Sequence, residues 1–167
     1  FRLVTGKADQ LLERLNREGK NTEADVILTT DAGRLWRAAK LDLLKTVNNN
    51  FLNSSVPKEF RDSNNKWWGL SLRARVFVYS KERVKTEELE GYLELEDKKW
   101  KGRILTRSSG NIYNQSLIAS MIDSYGLQRT EIWAKKLVKN FSRKPVGGDR
   151  DQIRAVAAGE GDIAIVN

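Results

Sequence analysis

The sequence contains no cysteine and no histidine. The absence of cysteine excludes disulfides, and it is compatible with an oxidising compartment as well as with the cytosol. Because thiolate and imidazole are both missing, any metal bound by this chain has to be a hard ion held through oxygen. Cysteine and histidine nucleophiles are excluded in the same way, and the sequence has no phosphate-binding P-loop. We therefore expect a protein that is not an enzyme.

The chain also lacks a long hydrophobic run. No stretch approaches the roughly 18 apolar residues of a membrane-spanning helix, and no signal peptide opens the sequence. We expect no membrane insertion. The first residues, "FRLVTG", already have the composition of a β-strand, and the last, "GDIAIVN", end on another. We interpret the sequence as an internal fragment that is incomplete at both ends.

Positive charge is in excess, since 30 lysines and arginines against 22 acidic residues give a net charge of +8. Trp67, Trp68 and Trp100 lie beside several lysines, a combination found in nucleic-acid-binding domains. The basic residues are, however, spread over the whole sequence among acidic ones, which is typical of a solvated surface. Nucleic-acid binding is kept as the weaker alternative, and we expect no nucleic-acid partner.

Strand-like and helix-like segments alternate along the chain, which predicts an α/β fold with mostly parallel strands. Aliphatic or alternating patterns predict strands at residues 2–5, 24–30, 70–80, 102–106 and 162–166. Apolar residues at helical spacing predict six helices. The first runs from near Ala8 to Gly19, the second follows a cap at Asp31, and the third covers 87–95. The fourth begins at Tyr113, the fifth carries Trp133, Leu137 and Phe141, and the sixth follows a cap at Asp149. Residues 41–68 show no periodicity and predict a long connection.

Two distant segments, "EADVILTTD" and "EGDIAIVN", share a pattern of an acidic residue, a small residue, aspartate and an aliphatic strand. Equivalent βα units in two lobes would produce this repeat. We predict one lobe at residues 1–72, a crossing strand at 73–80 and a second lobe at 81–167, with the strands at 2–5 and 24–30 in one sheet and those at 102–106 and 162–166 in another.

The loop "RSSGNIY" follows the strand at 102–106, where ligands bind in open α/β sheets. Its serines, Gly110 and Asn111 could present an anion site at a helix N-terminus. Alternatively, the phenol of Tyr113 could be an oxygen ligand with a hydroxyl free of protein partners in the absence of metal. The third interpretation is a helix cap followed by a half-buried tyrosine.

Four long segments indicate the protein family more specifically than any single motif does. "ADVILTTDAGRLWRAAK", "WWGLSLRARVFVYSKERV", "KWKGRILTRSSGNIYNQSLIAS" and "QIRAVAAGEGDIAIVN" resemble, in this order, the periplasmic ferric-iron-binding proteins of bacterial ABC importers. The resemblance implies the type II periplasmic binding protein fold, with two α/β lobes joined by crossing strands. It also implies a monomer in the periplasm that captures Fe³⁺ and delivers it to the permease of an ABC importer.

The same resemblance implies a site built on tyrosine phenolates. Tyr113 matches one of the family's metal ligands, and Arg73 matches an arginine near the metal. Ser109, Gly110, Asn111 and Asp31 are expected, like Arg73, to lie around the metal ligand or to contact an anion, without binding the metal directly. The family's other tyrosine ligands have no counterpart between residues 1 and 167, so we expect this chain alone not to hold Fe³⁺ tightly. The main alternative keeps the fold and replaces iron by a small organic ion.

Overall fold

The computed structural model describes all 167 residues, which divide into two compact units, Phe1–Leu72 and Arg73–Asn167. The first unit contains helices α1 (Ala8–Glu18), α2 (Ala32–Lys40) and α3 (Asn50–Ser55), and the second contains the β-sheet and the remaining helices. None of the helices combines the length and the apolar sequence that crossing a lipid bilayer requires.

Helices α1 and α2 pack against each other in the first unit. Leu12, Leu15 and Ala38 are buried, and the Arg34 guanidinium donates to both carboxylate oxygens of Asp9 at 2.9 and 3.0 Å. Such two-pronged pairing fixes orientation as well as distance. The two helices are therefore joined by apolar burial and by one ion pair.

The ends of these helices are the ones that the sequence predicts. Gly19 ends α1 with a φ of 50°, in the left-handed region that glycine adopts without strain. Asp31 caps α2, because its carboxylate accepts a hydrogen bond from the Gly33 amide at 2.8 Å.

The strands predicted in the first unit are wrong. Residues 2–5 and 24–30 belong to no strand, and Val26 and Leu28, which the aliphatic pattern places in a core, are 84% and 78% exposed. A strand needs a neighbour that accepts and donates its ladder hydrogen bonds, and no strand lies beside these segments. The connection predicted at 41–68 also contains more structure than expected, namely α3 and a short 3₁₀ helix at Lys58–Phe60.

The second unit is organised by one sheet of β1 (Val76–Tyr79), β2 (Ile104–Leu105) and β3 (Ile163–Val166), in the order β1-β3-β2. Strand β3 is antiparallel to β1 and parallel to β2. The strands predicted at 102–106 and 162–166 therefore share a sheet, as expected. The long strand predicted at 70–80 is correct only for its last part, and its pairing makes half of the sheet antiparallel.

The two faces of this sheet are covered by α4 (Ile112–Tyr125) with α5 (Leu127–Lys139), and by α6 (Asp149–Ala157). Ile163 and Ile165 pack into the core that includes Met121 of α4 and Trp133 and Leu137 of α5. Ala164 and Val166 alternate with them and pack against Ala155 and Val156 of α6. Because all four β3 residues are buried, the strand is apolar throughout, as the centre of a three-layer α/β/α unit requires.

The helix predicted at 87–95 is replaced by short 3₁₀ helices at Thr86–Glu88 and Leu93–Glu96. Two carbonyls of this region are bound by side chains of the α5 region: Tyr92 O accepts from Trp133 Nε1 at 2.7 Å, and Leu95 O accepts from Asn140 Nδ2 at 2.9 Å. These tertiary hydrogen bonds take the place of the regular ladder of an α-helix.

The cap predicted for α6 is off by one residue. Gly148 is the N-cap and Asp149 is the first helical residue, while Asp151 accepts from the Gly148 amide at 2.7 Å. Gly147 has a φ of 73°, and a Cβ there would lie 2.7 Å from Asp151 Oδ2, so this turn requires glycine. The Asp149 carboxylate is free from capping and lies among arginines.

Candidate functional site

Tyr113 occupies the first turn of α4, immediately after the polar loop 107–111. Asn111 caps the helix by accepting from the Tyr113 amide at 3.1 Å, which is the usual role of asparagine at this position. The Tyr113 ring is half-buried. The prediction that its hydroxyl has no protein partner is wrong, because Arg73 Nη1 donates to Tyr113 Oη at 3.3 Å.

Arg73 and Arg75 lie just before β1, in an extended segment. Side chains two residues apart in an extended chain point to the same side, and both guanidiniums reach the first turn of α4. Arg73 meets the Tyr113 hydroxyl, and Arg75 Nη2 donates to Asn114 Oδ1 at 2.7 Å. The alternating sequence "RAR" thus brings two positive charges to neighbouring residues of one helix turn.

The Arg75 side chain is only 8% exposed and is held by several acceptors. Besides Asn114 it donates to Ile165 O and to Asn167 Oδ1, both at 3.0 Å. Burial lowers the pKa of Arg75, and the nearby carboxylate of Asp149 opposes this shift. A guanidinium remains protonated at neutral pH despite such a shift, so Arg75 is a buried positive charge that joins β3 to α4.

Asp149 supplies the negative charge in this region. Its Oδ2 accepts from Arg107 Nη1 at 3.3 Å, and its Oδ1 lies 3.7 Å from Arg75 Nη1. The Asp149 side chain is 16% exposed. Arg107 in turn lies over the ring of Tyr113, with its guanidinium carbon 5.6 Å from the ring centroid, within the range of a cation–π contact.

These contacts define a group that we call the Tyr113 cluster: Arg73, Arg75, Arg107, Tyr113, Asn114 and Asp149. Three guanidiniums and one carboxylate leave it with a net positive charge, and the N-terminus of α4 adds to this. This positive charge favours a negatively charged group in the cluster, such as a small anion.

The other residues predicted for the site have local roles in the structure. Gly110 N donates to Ser108 Oγ at 3.2 Å, and Ser109 O accepts from Gln115 Nε2 at 3.4 Å. Asn111 caps α4. Asp31 belongs to the other unit, where it caps α2 with a φ of 79°, which is unusual for a residue other than glycine.

Sequence reasoning did not find four members of the cluster, namely Arg75, Arg107, Asn114 and Asp149. Asn114 ties the loop to the helix, since its Nδ2 donates to Arg107 O at 2.8 Å and to Ser108 O at 3.2 Å. The alternation that aligns Arg75 with Arg73 was visible in the sequence. The approach of Asp149 to Arg107, 42 residues apart, was not.

Comparison with known proteins gives a family match over most of the chain. Residues 21–167 match the family described as bacterial extracellular solute-binding protein. Iron uptake protein A1 of Synechocystis sp. is similar, with 49% identity over 99% of this chain and 46% of that protein. The Fe(3+)-binding periplasmic protein of Serratia marcescens is similar at 27% identity over 98% of this chain and 48% of that protein.

Among solved structures, a Trichodesmium protein in complex with iron and citrate ligands is similar at 50% identity. The TM-score is 0.94, and the match covers 99% of this chain and 52% of that chain. The chain therefore spans about half the length of the relatives it matches.

Proposed function

Because the chain belongs to the bacterial extracellular solute-binding protein family, we propose that the protein captures ferric iron in the periplasm and delivers it to the permease of an ABC importer. The names of the relatives support iron as the solute, and one of them is a periplasmic protein. Tyr113 is the proposed metal ligand on this chain, and Arg73 is the positive group beside it. The observation that carries the proposal is the 3.3 Å contact between Arg73 and the Tyr113 hydroxyl.

The chemistry of the phenol fits this cargo. Fe³⁺ is a small hard cation, and a trivalent charge can displace the proton of a phenol whose ordinary pKa is about 10. With no cysteine or histidine in the sequence, oxygen is the donor that this chain can offer. No group of three or more His, Cys, Asp or Glu residues is placed to hold a metal ion, and the Tyr113 phenol oxygen is the donor that we propose.

Arg73 has a role in both states of the proposed site. Without metal it donates to the phenol oxygen, and with metal bound it stabilises the phenolate or an accompanying anion from nearby. The half-buried ring and the exposed guanidinium allow this exchange without a change in the core. Ser109, Gly110 and Asn111 shape the loop around the site.

The proposal is tested by titrating the intact protein with ferric citrate and recording the visible spectrum. We expect a red-brown band from charge transfer between phenolate and iron. Tyr113→Phe keeps the ring and removes the donor oxygen, so it should weaken iron binding and reduce the band while the melting temperature without metal stays nearly unchanged. Tyr125→Phe is the matched control, because Tyr125 lies at the other end of α4 and is 50% exposed.

Two results would contradict the proposal. One is an intact protein that gives no charge-transfer band at any iron concentration. The other is a Tyr113→Phe variant whose band and affinity equal those of Tyr125→Phe.

A second candidate keeps the fold and replaces iron by a small organic anion. Its support is the presence of Arg73 and Arg107 at the Tyr113 side chain and of Arg75 at the neighbouring Asn114. Calorimetry with citrate in the absence of iron distinguishes the two candidates, since tight binding of citrate alone, without any charge-transfer band on adding iron, favours the organic anion.

A further inference from the structure

We propose that Asp149 is a positioning residue for Tyr113, acting through Arg107 on the ring and through Arg75 on the start of α4. The inference deepens the proposed function, because it names a residue that prepares the metal-binding phenol without touching it. It starts from a carboxylate that the sequence pattern assigns to helix capping and that the structure places among guanidiniums instead.

The first step concerns the ring of Tyr113. Two arginines approach this residue in different ways: Arg73 meets the hydroxyl oxygen, and Arg107 lies over the ring face. Asp149 binds Arg107 at 3.3 Å and so holds the guanidinium against the ring. Without this carboxylate, Arg107 is a long side chain with no anionic partner, and the nearby phenol oxygen is an acceptor that it can reach. Asp149 thus keeps a second guanidinium away from the atom that binds metal.

The second step concerns the backbone beneath Tyr113. Asp149 lies 3.7 Å from Arg75, and Arg75 donates to Asn114, the residue after Tyr113. Asn114 donates in turn to the carbonyls of Arg107 and Ser108. Asp149 compensates the charge of the arginine at the centre of these contacts, which fix the loop and the first helical turn. Loss of the charge leaves Arg75 and Arg107 without the carboxylate that they share.

The third step is the consequence for binding. Groups that orient a metal ligand from behind typically change metal affinity 10- to 100-fold when they are removed. Asp149→Asn keeps the size of the side chain and removes its charge, so we expect a loss of Fe³⁺ affinity of about this magnitude in the intact protein. Asp149→Glu keeps the charge and should restore part of the affinity. Asp123→Asn, at an exposed position of α4, makes the same change of net charge and should leave affinity unchanged.

The test has a first readout that requires no iron. The intact protein is labelled with 3-fluorotyrosine, and the ¹⁹F resonance of residue 113 is assigned by its disappearance in Tyr113→Phe. In metal-free protein, Asp149→Asn should shift this resonance while those of Tyr79 and Tyr125 stay in place, and Asp123→Asn should leave the resonance of residue 113 unmoved. A Tyr113 resonance that stays unmoved in Asp149→Asn overturns the proposal, and so does a general movement of all tyrosine resonances with a fall in melting temperature.

The second readout is the affinity for Fe³⁺ in competition with citrate, together with the position of the charge-transfer band. A shifted ¹⁹F resonance with a weakened and displaced band supports the positioning role, whereas a shifted resonance with unchanged affinity overturns it. If the wild-type protein binds no iron, the proposed function fails. The ¹⁹F comparison then still decides whether Asp149 positions Tyr113.

Discussion

Substitutions of Arg73 and Arg75 test which residue of the Tyr113 cluster contributes to fold stability and which contributes to metal binding. They lie two residues apart in the same extended segment and reach the same helix turn. Arg73 is exposed and makes one long hydrogen bond, whereas Arg75 is 8% exposed and donates to several acceptors. We therefore expect Arg75→Met to destabilise the second unit and Arg73→Met to affect mainly the binding of metal.

The magnitude for Arg75→Met follows from the groups left behind. Methionine retains part of the apolar stem of the side chain, but Ile165 O and Asn114 Oδ1 lose their donor. Each unsatisfied buried acceptor costs about 1–3 kcal/mol, and removal of one partner of a buried ion pair typically costs about 3–5 kcal/mol. Since Asp149 keeps Arg107 as a partner, the cost of an unpaired charge is not incurred in full. The two acceptors set the expected loss at about 3–5 kcal/mol in the free energy of unfolding. Arg73→Met should change it by less than about 0.5 kcal/mol.

The assay has to report on the second unit alone, because a protein with two units need not unfold in one step. Amide hydrogen exchange of β3 meets this requirement, since its N–H groups are protected by pairing with β1 and β2. A loss of about 3–5 kcal/mol corresponds to a decrease in protection of about two to three and a half powers of ten. Equal protection in the two variants, or a decrease below about tenfold for Arg75→Met, would refute the reasoning.

Three further predictions follow from the same structure. Burial raises the pKa of Asp162, but hydrogen bonds from Arg103 and Arg83 outweigh it and hold this pKa below its usual range, so the charged carboxylate stabilises the fold at neutral pH and loses this effect as the pH falls below about 4. Asp162→Asn should therefore cost about 1–2 kcal/mol in urea unfolding at pH 7, given the partial exposure of the pair. A loss of stability that persists undiminished at pH 2 would contradict this. Gly161→Ala should cost about 1–3 kcal/mol by the same measurement, because a Cβ would lie 2.8 Å from the Leu105 side chain; an unchanged midpoint would show that the site relaxes freely. We expect no stoichiometric coloured complex when the 167-residue chain by itself is titrated with ferric citrate, because it carries a single tyrosine that matches the family's ligands. A complex that survives citrate competition would show that the ligands were misassigned.

Most of the second unit was predicted correctly, because the strands that pair there and the helices that cover them all belong to this unit. The aliphatic strand "IAIV" lies between β1 and β2, and its alternate residues face two different helix layers. The family resemblance and the type II periplasmic binding protein fold were also predicted from the sequence, and both are confirmed by the family match and by the TM-score of 0.94 to the Trichodesmium structure.

The first unit shows where a local pattern is insufficient. Residues 24–30 have the composition of a buried strand, yet Val26 is 84% exposed, because burial and pairing depend on neighbours that the segment does not specify. The helix at 87–95 was wrong for the opposite reason. There the sequence can form a helix, but carbonyls of this segment are bound by Trp133 and Asn140 from a distant part of the chain.

The Tyr113 cluster combines a rigid part and an exchangeable part, and the difference lies in burial. Arg75 is buried with several acceptors, so its contacts are costly to break and hold the first turn of α4 in place. The contact between the exposed Arg73 and the phenol oxygen, at 3.3 Å, should contribute less than about 0.5 kcal/mol to the free energy of unfolding. In the proposed site, a phenol oxygen that is oriented by strong contacts behind it and meets the weak Arg73 contact in front can exchange a proton for a metal ion at little cost. Little of the free energy of metal binding is then needed to reorganise the site.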